Sequence, residues 1–364
     1  MPGWNFADVW ETIADQLPAA PAQVQGDRRC SWRDFDRRAD GIARVLLDAG
    51  VQRQDKVAQY LYNCPEYLES MFAVFKAGLV PINTNYRYGD DELVYLWDNA
   101  DAVAVVFHGL FSERIDRLRA RLQRVRAWLW VDDGSGPCPD WAVPYEEAAS
   151  ATSERAVPPW SRDGDDLYML YTGGTTGMPK GVMWRQDDLF ANLNGASPLP
   201  FGDEPDLAKV RQLVTAPSLR QLPAAPLMHG TGCFTALTIL SIGGSIVLLP
   251  SRSFDAVELL DITEREKVNA IAWVGDAFAK PVLRALDEHP GRWDLSSLVA
   301  IVSSGVMWSE ATKQGLLRHH PGMLLADMYS SSEALGLGRS VSSAGGTSHT
   351  AAFILGENAR VLTD

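Results

Sequence analysis

Residues 171–182 read YTGGTTGMPKGV: four glycines, three threonines and one lysine set between apolar anchors. The stretch before it, Leu167–Tyr171, has the apolar run of a buried strand, and Asp188–Asn194 after it has helical character. The loop therefore leaves the end of a strand, where α/β proteins place ligands. Gly173, Gly174 and Gly177 allow backbone N–H groups to approach an anion. Thr172, Thr175 and Thr176 add hydroxyl donors, and Lys180 adds a charge. Together these are the requirements of a phosphate cradle. The spacing is not that of a GxxxxGK[ST] loop, because Pro179 precedes the lysine and Gly181 follows it. A mere surface linker would have no use for three hydroxyls and a cation in so short a window.

Outward from this loop the chain alternates strand and helix patterns. AQVQGDRRCSW reads as two short strands about a Gly26-Asp27 turn. Ser31 then caps a helix running through Leu47 and stopping at Gly50. Val57–Leu61, Leu79–Ile82, Ala102–Phe107 and Ala127–Val131 read as strands, with helices from Pro65, over Asp90–Asn99 and over Glu113–Gln123 between them. A second series begins at Leu167–Tyr171 and continues through Ser245–Leu249, Ala270–Trp273, Leu298–Val302 and Leu324–Met328, with helices at Asp255–Lys267 and Asp276–Glu288. This rhythm implies an α/β fold with mostly parallel sheets covered on both faces. The Pro-rich stretch 134–159 is expected to join two subdomains, 1–158 and 159–350. Asn194–Pro226 is expected to be an irregular insertion.

The bulk properties narrow the function. A net charge of −13 over 364 residues argues against a nucleic-acid surface. A polyanionic ligand must then be met by local donors. Cys30, Cys64, Cys138 and Cys233 are scattered without metal-ligand spacing, which suits free thiols in a reducing cytoplasm. The first residues lack a basic leader pattern, and the apolar stretch Phe234–Leu249 is too short and glycine-broken to span a bilayer. A soluble cytoplasmic protein is expected.

YTGGTTGMPKG resembles the phosphate-loop signature of the AMP-forming, adenylate-forming superfamily, which includes acyl-CoA synthetases, luciferases and peptide-synthetase adenylation domains. Two further stretches match in order. PLMHG, Pro226–Gly230, is similar to the family's histidine motif beside the acyl carboxylate. MYSSSE, Met328–Glu333, is similar to its Y-G-x-T-E motif. The resemblance implies the large N-terminal domain of that fold, layered αβαβα. It also implies ATP or AMP and Mg²⁺ as cofactors, and CoA and a small-molecule carboxylic acid, fatty or bulky, as substrates. Carried over position by position, Lys180, His229 and Glu333 become catalytic candidates. Thr172–Gly177, Lys180, Ser304, Gly305, Tyr329 and Ser332 become nucleotide contacts. Glu333, with Thr172 as a further candidate, would hold Mg²⁺. His229, Trp273, Gly275 and Val306 would line the acyl pocket, with Trp308 a further candidate to border it.

Ser330 stands where the family has glycine and Ser332 where it has threonine. The family's ribose-binding Asp, Arg hinge and C-terminal lysine domain find no match before Asp364. The chain is therefore expected to be an N-terminal domain, with 351–364 opening a truncated third subdomain and little acyl-CoA formation on its own. The TGGTTGMPKGVMWRQDDLF and WVGDAFAKP stretches are similar to an actinobacterial branch acting on long-chain and steroid side-chain acids. Met228-His229-Gly230-Thr231 lacks the Asp of amino-acid-activating members. Two alternatives stay open: a non-catalytic nucleotide- or acyl-binding protein on the same fold, and an adenylating enzyme serving another acyl acceptor.

Overall fold

The computed structural model describes residues 3–152, 154–173, 177–346, 350, 352–356 and 359–360. Its strands form two sheets. The seven-stranded sheet runs, edge to edge, Val143–Pro144, Ala127–Val131, Ala102–His108, Lys56–Tyr60, Val80–Asn83, Leu167–Thr172 and Lys180–Arg185. Every neighbouring pair is parallel except the last. The nine-stranded sheet runs Ile354–Leu355, Gly338–Ser342, Leu324–Tyr329, Ala300–Ser304, Ala270–Trp273, Arg220–Pro223, Ser245–Leu248, Pro21–Gln25 and Arg28–Ser31. Its interior is parallel and both its edges are antiparallel.

Parallel strands bury both faces, so each sheet needs helices on two sides. One core cluster joins Leu129, Tyr168 and Leu170 of the first sheet to Ile246 and Leu248 of the second through Phe6, Trp10, Phe35, Phe72 and Leu237 of the helices between them. Separate clusters cover the outer faces. Leu259, Val282 and Leu316 pack on Ile271 and Ile301 of the larger sheet, and Leu93, Trp97 and Ile115 pack on Val105 and Phe107 of the smaller. The result is the layered α/β arrangement expected from the strand–helix rhythm.

The central helices start where the local chemistry directs. The Ser31 hydroxyl accepts from the Asp34 N–H to open Trp32–Asp48, and Pro65 takes the first position of Pro65–Lys76, where its missing N–H costs nothing. Lys76, fully buried, lies 3.1 Å from Glu11, 2.7 Å from Asp36 and 2.6 Å from Asp40. It thereby ties three central helices through one paired charge.

Two expectations are revised and one helix is added. The sheets do not divide near residue 158: Pro21–Gln25 and Arg28–Ser31 join the larger sheet, and Leu167–Thr172 and Lys180–Arg185 complete the smaller one. Phe6–Gln16 is an additional helix, capped by the Asn5 side chain. The expected insertion contributes a helix, Leu207–Leu213, and an interior strand, Arg220–Pro223.

Candidate active site

The glycine-rich loop closes a hairpin. Leu167–Thr172 and Lys180–Arg185 pair antiparallel with Thr172 opposite Lys180, so hydroxyl and ammonium flank the two ends of the loop. Gly173, Gly177 and Lys180 are exposed. Gly174, Thr175 and Thr176 lie outside the described residues. The chain returns as a strand rather than a helix and only then enters the helix Gln186–Gly195. Gly181 leaves room for its neighbours: a Cβ there would stand 2.9 Å from the Met169 sulfur and 3.0 Å from the Tyr171 ring and would displace these side chains.

His229 precedes the helix Gly230–Ser241, whose first turn it begins by accepting the Cys233 N–H at 2.9 Å. Its side chain reaches the surface. The surrounding protein still desolvates it, and that loss of water, with the Arg87 cation second, pulls its pKa below the usual imidazole value. Arg87 was not among the candidates from sequence.

The loop start and His229 are joined by one side chain. Asn83 donates to the carbonyls of Tyr171 at 2.8 Å and Met228 at 2.7 Å, and accepts the Tyr171 N–H at 2.6 Å. A second link runs from Trp184 Nε1 to the Ser332 carbonyl at 2.8 Å. It brings the hairpin against the turn that carries Tyr329, Ser332 and Glu333. In that turn Ser331 N–H donates to the Ala334 carbonyl at 2.9 Å. Ser330, the residue in place of glycine, accepts the Gly336 N–H at 3.1 Å. Tyr329 is 54% exposed with its ring 5.5 Å from that of Phe353, and Glu333 is exposed.

Ser304 pairs with Met328 in adjacent parallel strands, so Ser304-Gly305 and Tyr329 leave the same carboxyl edge of the larger sheet. Val306 and Met307 beyond it are 53% and 64% exposed. The segment is held from beneath by the start of the helix Gly275–Glu288. The Ser303 hydroxyl accepts the Gly275 N–H at 2.9 Å, the Met307 carbonyl accepts the Asp276 N–H at 3.2 Å, and Asp276 accepts the Ser309 N–H at 3.0 Å. Gly275 has φ +54°, and a Cβ on it would sit 2.5 Å from the Met307 oxygen. Glycine is required there for both reasons.

Trp273 stands apart from this group. Its ring is fully buried beneath the outer helices, 5.4 Å from that of Trp308 and nearly perpendicular to it. On a strand whose side chains alternate, it faces the outer core, so its side chain does not reach the exposed edge beside Val306. Trp308 is equally buried. Among the described residues, no cluster of three or more His, Cys, Asp or Glu is gathered as a metal cage, and no helix is long and apolar enough to cross a membrane.

The residues missed from sequence are Asn83, Trp184 and Arg87. Asn83 gave one signal: a polar residue closing an apolar strand, at a place where asparagine is disfavoured.

A family profile described as AMP-binding enzyme matches residues 10–360. The chain is 35% identical over 350 residues to a medium/long-chain-fatty-acid–CoA/3-oxocholest-4-en-26-oate–CoA ligase of Mycobacterium tuberculosis, covering 94% of this chain and 62% of that protein. It is 36% identical over 342 residues to a 3-oxocholest-4-en-26-oate–CoA ligase of Rhodococcus rhodochrous, covering 90% and 60%. The chain thus spans less than two-thirds of the length of these relatives. Among solved structures, the N-terminal domain of FACL13 from Mycobacterium tuberculosis superposes with a TM-score of 0.75 at 19% identity, covering 95% of this chain and 79% of that one. The anthranilate–CoA ligase AuaEII, in complex with anthranoyl-AMP, gives 0.79 at 19%, covering 96% and 64%. These two likenesses speak to the fold, and the profile with the sequence relatives speaks to descent: the chain belongs to the AMP-binding enzyme family.

Proposed function

We propose that this chain binds ATP and a carboxylic acid and joins them as an acyl-adenylate, which the complete protein passes to CoA. The observation that carries the reading is the convergence of the glycine-rich hairpin, His229 and the Tyr329–Glu333 turn through the Asn83 and Trp184 hydrogen bonds. A carboxylate is a poor acyl donor because oxide would have to leave. Attack by its oxygen on the α-phosphorus of ATP forms the new P–O bond, breaks the bond to pyrophosphate and leaves AMP as the group a thiol can displace. Such a step is accelerated by positioning and by neutralising phosphate charge.

Thr172, Gly173, Gly177 and Lys180, with the intervening Gly174, Thr175 and Thr176, would receive the β- and γ-phosphates. Tyr329 offers an exposed ring for one face of the adenine, with Ser304-Gly305 beneath it, and Ser332 a hydroxyl for phosphate. Glu333 would offer Mg²⁺ one exposed carboxylate, with phosphate and water supplying the other oxygens. When bound, the ion would offset charge on the phosphates. His229 would present a hydrogen bond to the carboxylate of the acid. Gly275 and Val306 would border the acyl chain. The names of the relatives, which act on medium- and long-chain fatty acids and a steroid side-chain acid, favour an apolar, bulky acid here. The absence of an acidic residue across Met228–Thr231 disfavours an amino acid.

The test is acid-dependent release of pyrophosphate from ATP, followed by CoA thioester formation, over a panel of fatty, aromatic and steroid acids with the full-length gene product. Nucleotide binding without acid-dependent pyrophosphate release would favour a non-catalytic nucleotide-binding protein. Release without a CoA thioester would point to another acyl acceptor.

A further inference from the structure

The proposed reaction needs two things held at a fixed separation: the phosphate cradle and the group that meets the acid. They sit on different parts of the fold. The cradle follows Tyr171 in the smaller sheet, and His229 follows Met228 in the connection between a strand of the larger sheet and a central helix. Asn83 contacts both. It ends the strand Val80–Asn83 and is 6% exposed.

Neighbouring strands Val80–Asn83 and Leu167–Thr172 are in register at Ile82 and Met169. Beyond that point the carboxamide of Asn83 serves both backbone groups of Tyr171, accepting its N–H and donating to its carbonyl, as a further strand residue would. The second N–H of the same amide leaves the sheet and reaches the Met228 carbonyl, 145 positions away in sequence. Asn63 fixes the other end of this connection, donating to the Pro223 and Ala225 carbonyls and accepting the Leu227 N–H at 2.7 Å. Met228, next to His229, is left to Asn83. Only a primary amide supplies two donors and an acceptor in one plane at this length. Aspartate would turn negative oxygens toward two carbonyls, and serine has a single donor.

We infer that Asn83 is a positioning residue for adenylation, setting the placement of His229 relative to the phosphate cradle through Met228 and Tyr171 without touching either substrate. This rests on the adenylation reading above. Its consequence is kinetic: a small displacement between reacting groups costs rate far more than it costs binding.

The experiment compares Asn83→Ala and the milder Asn83→Ser with wild type, alone and combined with His229→Ala. In the full-length protein, Asn83→Ala is expected to slow acyl-adenylate formation by about 10–10²-fold, with KM values for ATP and acid moving less than about threefold. Asn83→Ser, retaining one donor, falls between. The double variant with His229→Ala is expected to lose less than the product of the two single losses, because part of the Asn83 effect passes through His229. On the 1–364 chain, the imidazole resonances of His229 followed by NMR against pH report its surroundings directly. Releasing Met228 should change the surroundings of the ring, and with them its chemical shifts and titration. A folded Asn83→Ser protein with wild-type His229 titration, and with losses that simply add to those of His229→Ala, would overturn the inference. If wild type forms no acyl-adenylate, the adenylation reading fails. The titration then still decides whether Asn83 places His229.

Discussion

Replacing Gly275 by alanine should damage the edge that carries Ser304, Gly305 and Val306, and the size of the loss can be worked from two contributions. The residue sits at φ +54°, where a Cβ costs about 1–2 kcal/mol. The added methyl would also lie 2.5 Å from the Met307 oxygen and 2.6 Å from Val306 Cγ2. The first neighbour is backbone, already committed to the Asp276 N–H, so relief requires the 305–307 segment to shift. Overpacking of this kind costs about 1–3 kcal/mol. The total is about 2–5 kcal/mol. Gly291 supplies the control. It has φ +76° but nothing within 4 Å of its Cβ position, so Gly291→Ala should cost only the conformational part, about 1–2 kcal/mol. Urea unfolding of both variants at pH 7, fitted with a common m-value, measures the difference. Because the strain falls on the 305–307 segment, Gly275→Ala should also weaken AMP binding, and Gly291→Ala should not. Equal losses of stability in the two variants would refute the argument that backbone contact under this edge demands glycine.

Lys180→Ala should lower turnover of the full-length protein by ~10²–10³, the scale for one lost charge-stabilising donor, while its exposed position leaves the melting temperature nearly unchanged. Full activity in that variant would remove the loop from the mechanism. Glu333→Gln should weaken binding of ATP with Mg²⁺ more than binding of AMP, since the ion would offset charge on phosphates that AMP lacks; equal losses by calorimetry would assign the residue elsewhere. Stability should fall on acidification partly through His108, whose pKa burial pulls down from 6.5 to about 4. The unfolded chain then takes up the proton first, so stability present above pH 6.5 is lost as pH falls toward 4. Between pH 7 and 5 the change is about 2 kcal/mol, and His108→Gln should flatten the urea-midpoint curve over that range. Parallel curves for variant and wild type would count against the burial argument.

What could be read from sequence was what is chemically local. Ser31 as a cap, Pro65 as a first helical residue and Asp90–Asn99 as a helix stand where the side chains direct. The site candidates were legible for the same reason, since glycines, hydroxyls and a lysine in one window need no distant partner to be interpreted. The pairing of strands was not. AQVQ at 22–25 reads as a short strand and Leu167–Tyr171 as a buried one, but neither carries a mark of which sheet it will join. Lys180–Arg185 is half exposed and exists as a strand because Leu167–Thr172 offers it a ladder. Asn83 and Trp184 act across 145 and 148 positions, which no local pattern encodes. The helix Phe6–Gln16 is a different kind of omission. Its signals were local, with Asn5 before an apolar stripe at Phe6, Val9, Trp10 and Ile13.

The crossing of Pro21–Ser31 into the larger sheet has a consequence for how the chain is made. Gln23 and Val24 are in register with Ile246 and Val247, and the Gln25 side chain donates to the Leu249 carbonyl 224 positions later. A ribosome adding about 5–20 residues per second needs on the order of 10–45 s to deliver that partner. Throughout this interval Ala22 and Val24 must wait, with their neighbouring strand still unsynthesised. The smaller sheet can assemble as soon as residue 185 has emerged. The larger one cannot close over the first strand until most of the chain exists. This ordering leaves the earliest-made strand as a late arrival in the finished sheet.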